Sequence, residues 1–200
     1  MHSDLPSPAS QPRADEIAHI VGIAASGDEA AWNRLVERYS SLLWAIARAH
    51  RLSNADAADV VQTTWLRCVE HLPAIRNPNA LGAWLATTAR RESLKVLRGA
   101  ARVQASPELD AVVDSRLGPA DALLLDERDA SLWRAFERLP SHDRSLLRVL
   151  MADPAPSYEE VSAALGMPIG SIGPTRGRAL ERLRREVRRA GITEVGGERS

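Results

Sequence analysis

The stretch that decides the fold is residues 157–189, which read SYEEVSAALGMPIGSIGPTRGRALERLRREVRR. Ser157 and Glu160 have the S-x-x-E spacing of a capping box, which predicts the start of a helix at Tyr158. Gly166 follows this short helix where a left-handed residue would end it, and Ser171 is predicted to cap the next helix. A short capped helix, a glycine turn and a second capped helix are typical of a helix-turn-helix.

The second helix of this motif is strongly basic. Glu181 and Glu186 alone oppose its arginines, which are Arg176, Arg178, Arg182, Arg184, Arg185, Arg188 and Arg189. A positive helix in the major groove neutralises phosphates and offers bidentate arginine contacts to guanine. We therefore predict that the motif binds double-stranded DNA. The alternative is a solvated basic helix on a protein–protein surface.

Three residues without ordinary side chains lie near the start of this basic helix. With Ser171 as its N-cap, Pro174 is the third helical residue, and its missing N–H would have no partner within the helix. Gly173 and Gly177 each weaken the helix by about 1 kcal/mol relative to alanine, and they permit close backbone approach to phosphate. We expect this helix to become firm only on DNA.

The rest of the chain predicts further helices and no strands, because apolar residues recur at helical spacing and period-two alternation is absent. The fold class is therefore all-α, with two small helical domains. In the first half we predict helices over 16–25, 29–50 and 55–71, the third opened by a Ser53–Asp56 capping box, and a fourth helix capped by Asn79 and running to about Arg98. In the second half a helix begins near Ala120 and ends at Leu139, and Ser141 caps the next.

Two charged segments lie between these halves. The basic residues Arg90, Arg91, Lys95, Arg98 and Arg102 are opposed only by Glu92, and residues 91, 95, 98 and 102 share one helical face. This face is either a second DNA contact or a solvated surface. Residues 101–125 are acidic and contain Pro107, Gly118 and Pro119, which indicates a flexible linker.

Composition restricts the cellular setting more than the activity. The 200 residues carry 26 basic and 26 acidic side chains, so the net charge is zero and gives no indication of nucleic acid. The one cysteine, Cys68, cannot form a disulfide within the chain, which favours a reducing compartment. Residues 1–15 are polar, with no apolar core of a secretory signal, and no apolar run is long enough to span a bilayer. We expect a disordered N-terminal tail and a cytoplasmic protein.

Three motifs in order resemble one family. Residues 56–66, DAADVVQTTWL, resemble the signature of sigma region 2, and residues 81–90, LGAWLATTAR, resemble the stretch that follows it. Residues 158–172, YEEVSAALGMPIGSI, resemble sigma region 4. The chain thus resembles a sigma-70-family factor of the extracytoplasmic-function (ECF) type. The resemblance implies a region 2 domain over 16–100, an acidic linker over 101–120, a region 4 domain over 121–190, and tails over 1–15 and 191–200.

The resemblance implies that region 2 docks on the clamp helices of the RNA polymerase β′ subunit, with the β flap as a further polymerase contact. The matching residues are Asp56, Asp59, Gln62 and Trp65. A polar, acidic face beside an aromatic anchor suits an interface. The alternatives are core packing for Trp65 and plain solvent exposure for Asp59 and Gln62.

The resemblance also implies contacts to two promoter elements. The −10 element would meet Asn77, Asn79, Arg90, Arg91, Lys95 and Arg98. Few aromatic side chains are available to stack on an unpaired base, since Trp84 shares a face with apolar residues and is expected in the core. The −35 element would meet Ser171, Thr175, Arg176, Arg178 and Arg182. Gly173, Pro174 and Thr175 stand where the family usually carries Lys or Arg, Ser and Arg, so the familiar −35 preference does not carry over.

Two other function classes compete with a sigma factor. A helix-turn-helix regulator that does not join polymerase would leave the region 2 motif unexplained. An enzyme is disfavoured because the sequence has no Gly-rich phosphate loop, metal-ligand cluster or nucleophile motif. We expect no cofactor and no metal. Many family members are held inactive by an anti-sigma factor, but this sequence identifies none.

Overall fold

The computed structural model describes residues 14–104 and 127–191, which form helices, short 3-10 turns and loops without any strand. The all-α prediction is confirmed. The α-helices are α1 (Ala14–Ala25), α2 (Glu29–Ala49), α3 (Asn54–His71), α4 (Leu81–Gln104), α5 (Glu127–Glu137), α6 (Ser141–Leu150), α7 (Tyr158–Leu165) and α8 (Ile169–Arg189). The predicted tails, most of the acidic linker and the helix start near Ala120 lie outside the described residues.

Capping side chains start several of these helices. Asp28 accepts a hydrogen bond from the Ala31 N–H at the start of α2. Ser157 and Glu160 form the reciprocal capping box of α7, and Gly166 ends that helix with a φ of 67°. At α3, Ser53 accepts from the Asp56 N–H and donates its hydroxyl to the Asp56 carboxylate, so Asp56 does not reach back to the backbone.

Asn79 does not cap α4, and this prediction was wrong. Asn77 caps instead, accepting a hydrogen bond from the Asn79 N–H at the start of a 3-10 turn over Pro78–Ala80. Proline at the first position of that turn fixes the φ that a helical turn needs. Helix α4 then begins at Leu81 and continues to Gln104, beyond the predicted end at Arg98.

The predicted caps Ser141 and Ser171 were also wrong. Pro140 and Pro168 occupy the N-cap positions, with extended backbone and no side-chain cap, so α6 begins at Ser141 and α8 at Ile169. Ser171 lies inside α8 and donates its hydroxyl to the Pro168 carbonyl. Pro174 is therefore an interior residue of α8 and removes one hydrogen bond of that helix. Buried Ile172, Thr175 and Ala179 hold the helix through tertiary packing despite this loss.

We call α1–α4 the N-terminal unit and α5–α8 the C-terminal unit. The core of the N-terminal unit is built from the inward faces of its four helices, and Trp84 packs against that core as expected. The same continuous core includes side chains of the C-terminal unit, namely Leu146, Val149, Ala152, Val161, Ala164 and Ile172. A smaller cluster of Phe136, Leu139, Leu147 and Ala179 joins α5, α6 and α8. The two units are thus packed against each other, chiefly α6 on α2 and α7 on α4.

None of the helices in the described ranges, 14–104 and 127–191, has the length and apolarity that a membrane span requires.

Candidate protein- and nucleic-acid-binding surfaces

The exposed side of α8 is an arginine face. Arg176, Arg178, Arg184, Arg185, Arg188 and Arg189 are all exposed. The Arg178 guanidinium donates to the Thr175 hydroxyl at 3.1 Å, and Thr175 itself is buried. Thr175 therefore cannot reach a base edge in this arrangement, but it orients Arg178. Ser171 is half-buried and its hydroxyl is engaged with Pro168.

Arg182 differs from the other arginines of α8, because it forms an ion pair within the C-terminal unit. Its Nη1 lies 2.5 Å from Oδ2 of Asp143, a carboxylate that is almost completely buried on α6. The His142 ring lies 3.7 Å from the same carboxylate. Sequence reasoning missed Asp143, since an acidic residue in the first turn of a helix is ordinary and its spacing from Arg182 carries no pattern.

The outer face of α3 combines polar and apolar side chains. Asp59 and Gln62 are exposed on it, as predicted, and Leu66 and Val69 continue the same stripe with 58% and 56% exposure. A helical turn of 3.6 residues puts positions 59, 62, 66 and 69 on one side. We call these four residues the α3 stripe. Leu66 and Val69 were not predicted as site residues, although their spacing from Asp59 was the available signal.

The other two residues of the predicted polymerase face are more constrained. Asp56 is half-buried and accepts the Ser53 hydroxyl at 2.7 Å. Trp65 is half-buried, with its ring 5.6 Å from that of Trp32 in an edge-to-face pair. Trp65 thus packs on the core of the N-terminal unit and stays partly exposed.

The basic residues of α4 divide between two faces. Arg91, Lys95 and Arg98 are exposed and share one side of the helix, as predicted. Glu92 is buried beside them and holds Arg67 of α3 at 2.9 Å and Lys95 at 3.8 Å. Arg90 points elsewhere, because consecutive residues of a helix are turned by about 100°. It is half-buried, and its guanidinium lies against Gly166 of α7.

The loop before α4 carries the two predicted amide contacts. Asn77 and Asn79 are both exposed, but the Asn77 side-chain oxygen is already engaged with the Asn79 N–H. Asn79 is therefore the freer of the two to meet a ligand.

Within residues 14–104 and 127–191, no group of three or more His, Cys, Asp or Glu side chains could hold a metal ion. Cys68 is fully buried, and desolvation raises the pKa of its thiol to about 11. The thiol is therefore protonated near neutral pH and is a poor nucleophile, so Cys68 acts as a core residue.

These surfaces define a DNA-binding class of protein, built from a helix-turn-helix with a basic outer helix and a helical unit with its own basic face. Comparisons with known proteins define the class further. The sigma-70 region 2 family matches residues 35–103. The ECF RNA polymerase sigma-E factor of Escherichia coli strain K12 is 26% identical over 171 residues, which cover 80% of this chain and 88% of that protein. The ECF sigma factor SigE of Mycolicibacterium smegmatis is 27% identical over 188 residues, covering 91% and 70%.

Two solved structures have a similar fold. One is CnrH in complex with the cytosolic domain of CnrY, with a TM-score of 0.56 and 23% identity over 86% of this chain and 96% of that one. The other is the sigma factor RpoE with the anti-sigma factor NepR from Bartonella quintana, with a TM-score of 0.56 and 26% identity over 78% and 96%.

Residues 35–103 match the sigma-70 region 2 family, and the ECF-type relatives align along most of the chain, which supports the resemblance to a sigma-70-family factor of the ECF type. The match includes both region 2 motifs, at residues 56–66 and 81–90, and the similarity to the sigma factors supports an RNA polymerase sigma factor role in transcription initiation.

Proposed function

We propose that this chain binds core RNA polymerase and directs promoter-specific initiation, reading a −10 element with the N-terminal unit and a −35 element with the C-terminal unit. One observation carries the proposal: a region 2 domain with an exposed α3 stripe and a helix-turn-helix with an arginine face occur in the same chain. A regulator that never joins polymerase would have no use for the first of these. The corresponding domains are residues 16–100 and 121–190, and the protein acts in the cytoplasm without a catalytic role of its own.

The α3 stripe is the proposed docking surface for the β′ clamp helices. Asp59 and Gln62 supply polar contacts, and the exposed side chains of Leu66 and Val69 supply apolar area. Interfaces gain most from apolar anchors that are surrounded by polar residues. Asp56 supports this surface by fixing the start of α3 through Ser53. The β flap is the proposed polymerase contact of the C-terminal unit.

The −10 element is proposed to meet the α4 basic face and the loop before it. Arg91, Lys95 and Arg98 are spaced along one side of α4 and suit the phosphates of a single strand. Asn79 is available for a base edge, and Asn77 shapes the turn that presents it. Arg90 is available for the same contact only when the C-terminal unit separates from α4.

The −35 element is proposed to meet α8 in the major groove. Arg178 is exposed and held in orientation by Thr175, which suits bidentate contact to guanine. Arg176 and Ser171 are further proposed contacts: Arg176 is exposed, and Ser171 lies in the first turn of α8 with its hydroxyl donating to the Pro168 carbonyl. Arg182 is assigned to positioning α8, because Asp143 engages its guanidinium.

Runoff transcription with purified core polymerase tests the proposal. Genome-wide mapping of polymerase carrying this chain supplies the promoter templates. We expect a transcript of defined start on these templates, and loss of that transcript when Arg178 is replaced by alanine. The matched control is Arg188→Ala, which removes an exposed arginine near the end of α8. Failure to support any transcript on every mapped template would overturn the proposal.

An anti-sigma factor is a further proposed partner. RpoE is recorded in complex with the anti-sigma factor NepR, and CnrH with the cytosolic domain of CnrY. Affinity purification of the tagged chain, followed by inhibition of runoff transcription with the captured protein, tests this part separately. A captured protein that leaves transcription unchanged would contradict it.

A further inference from the structure

The two units are joined by a continuous core rather than by a few surface contacts. Leu146 and Val149 of α6 and Val161 and Ala164 of α7 are each fully buried in the cluster built on α2 and α4. Polar bonds border this contact: the Ser145 hydroxyl and the Arg148 guanidinium donate at 2.9 Å to the carbonyls of Ala49 and Arg48. The N–H of Asp153 donates to the Ser41 hydroxyl at 3.0 Å.

Glu160 of α7 is fitted closely against Gly82 in the first turn of α4. A β-carbon built on Gly82 would lie 1.9 Å from Oε1 and 2.8 Å from Cδ of Glu160, and 2.9 Å from the Tyr39 ring. Glu160 is also tied to Ser157 through the capping box, so its carboxylate has little freedom to withdraw. The contact between α4 and α7 therefore depends on the missing side chain at position 82.

Arg90 is fitted against the turn of the helix-turn-helix in a similar way. A β-carbon built on Gly166 would lie 2.5 Å from Nη2 and 2.7 Å from Cζ of Arg90. His50, the residue after α2, is half-buried here and interacts with Arg90 and the Ala164 backbone. The guanidinium of Arg90 is thus confined between the two units, whereas Arg91, the next residue, is exposed on the open face of α4.

We infer that the Arg90-bearing surface of α2 and α4 is a docking surface for α6 and α7 of the same chain, and that this closed arrangement competes with single-stranded DNA for Arg90. The competition rests on the proposed function, because it takes the strand-contacting role of Arg90 from there. The docking itself rests on the packing alone. Opening of the two units frees Arg90 to join Arg91, Lys95 and Arg98, which are already exposed.

The experiment measures how fast each arginine of the full chain reacts with phenylglyoxal, with the modified residue located by tandem mass spectrometry. Arg91 is the internal reference for Arg90. If the open form is a minor state, the reaction rate of Arg90 is at least about tenfold lower than that of Arg91 in the unmodified protein. Gly82→Leu drives a side chain into Glu160 and is expected to bring Arg90 up to the rate of Arg91. Gly99→Leu is the matched control on the same helix, since a β-carbon there meets nothing within 4 Å.

A second variant guards against misfolding of Gly82→Leu. Ser145→Arg wedges α6 from α2 at the other end of the interface, and circular dichroism verifies the helix content of both variants. Equal reactivity of Arg90 and Arg91 in the unmodified protein would overturn the docking, whatever the protein's function. So would protection of Arg90 that persists in both wedge variants.

Binding of a short fluorescein-labelled single-stranded oligonucleotide tests the competition. We expect Gly82→Leu to bind it about tenfold more tightly. The reason is that the open form, at about a tenth of the molecules in the unmodified protein, becomes the major state. Arg90→Ala in the same background should abolish most of that gain. If Arg90 becomes reactive in Gly82→Leu without any gain in DNA affinity, the competition with single-stranded DNA and the proposed role of Arg90 are overturned. The docking of the two units would stand.

Discussion

Arg182 of α8 and Asp143 of α6 form an ion pair of 2.5 Å in which the carboxylate is almost fully buried and the guanidinium is half-exposed. Removing the cation would leave a buried carboxylate without its charge partner, which is costly. Arg182→Ala should therefore lower the free energy of unfolding by about 1–3 kcal/mol, a value reduced for the solvent exposure of Arg182. Urea denaturation of the full chain measures this change.

Arg185→Ala is the control for this prediction, because Arg185 is exposed on α8 and its ion pair with Glu181 is long, at 3.9 Å. Its effect should stay within about 0.5 kcal/mol. If the two alanine variants lose the same stability, the Asp143 pair contributes nothing to the fold, and Arg182 returns to the candidates for phosphate contact.

Arg178 is expected to read one base pair of the −35 element. Arg178→Ala should cost about 1–3 kcal/mol in DNA binding and relax selectivity at a single position. Binding to a library of single-base promoter variants measures both effects. Arg176→Ala is the comparison, since Arg176 is exposed one turn from Thr175 but does not share its hydrogen bond. A uniform loss for Arg178→Ala together with a changed base preference for Arg176→Ala would reverse the two roles.

Asp59→Ala combined with Gln62→Ala should weaken binding to core polymerase, and Leu66→Ser combined with Val69→Ser should weaken it further. Exposed apolar side chains beside polar ones contribute area that an interface buries, about 25 cal/mol per Å² before the costs of association. Pull-down titration against core enzyme measures the affinity. Glu159→Ala, an exposed acidic residue of α7, is the control. Unchanged core affinity in both double variants would remove α3 from the docking surface.

Pro174→Ala should stabilise the protein by about 2 kcal/mol, because it restores a backbone N–H within α8. This value allows for the opposing effect that proline lowers the entropy of the unfolded chain. Gly177→Ala should stabilise by about 1 kcal/mol, since a β-carbon there meets nothing within 4 Å. Thermal or urea unfolding measures both. An unstable Pro174→Ala variant would mean that α8 depends on the proline for its course.

His50 predicts a dependence of stability on pH. Burial, and then the nearby Arg90, lower the pKa of its imidazole below 6.5 in the folded protein, against a small opposing effect of the Ala164 backbone. The neutral form is therefore preferred in the fold. The contribution of neutral His50 to folding stability is fully present above about pH 6.5. It is lost progressively as the pH falls below that value, because the imidazole of the unfolded chain takes up a proton first.

The variant His50→Gln isolates this effect from other titrating groups, including Glu160, whose pKa burial raises. Urea denaturation at pH 7.5 and pH 5.5 should show a smaller loss of stability for the variant than for the unmodified protein. Equal losses would mean that His50 does not sense the folded environment.

Local signals in the sequence predicted most of the helices, since caps and apolar periodicity act over a few residues. Ser157 and Glu160 form the predicted capping box, and Gly166 ends the helix in the predicted left-handed conformation. The starts of α6 and α8 were missed because Pro140 and Pro168 act as N-caps without any side-chain hydrogen bond. The serines one residue after Pro140 and three residues after Pro168 were mistaken for the caps.

The relations between distant residues could not be predicted. Arg182 contacts Asp143, and Arg90 lies against Gly166, only because helices far apart in the sequence pack together. The spacing of these residues in the sequence therefore does not distinguish them from solvent-exposed residues. Asp59 and Gln62 are exposed, as both the docking prediction and its alternative required, whereas Thr175 is buried because it lies with Ile172 and Ala179 on the packed side of α8.

The core that both units share also bears on how long the protein survives in a cell. Separating the units uncovers Leu146, Val149 and Val161 on one side and their apolar partners on α2 and α4 on the other. Surfaces of this kind attract proteases, chaperones and other unfolded chains. In the proposed mechanism the closed form therefore shelters the chain before it meets polymerase, and an opening that does not end in capture by polymerase exposes it to degradation.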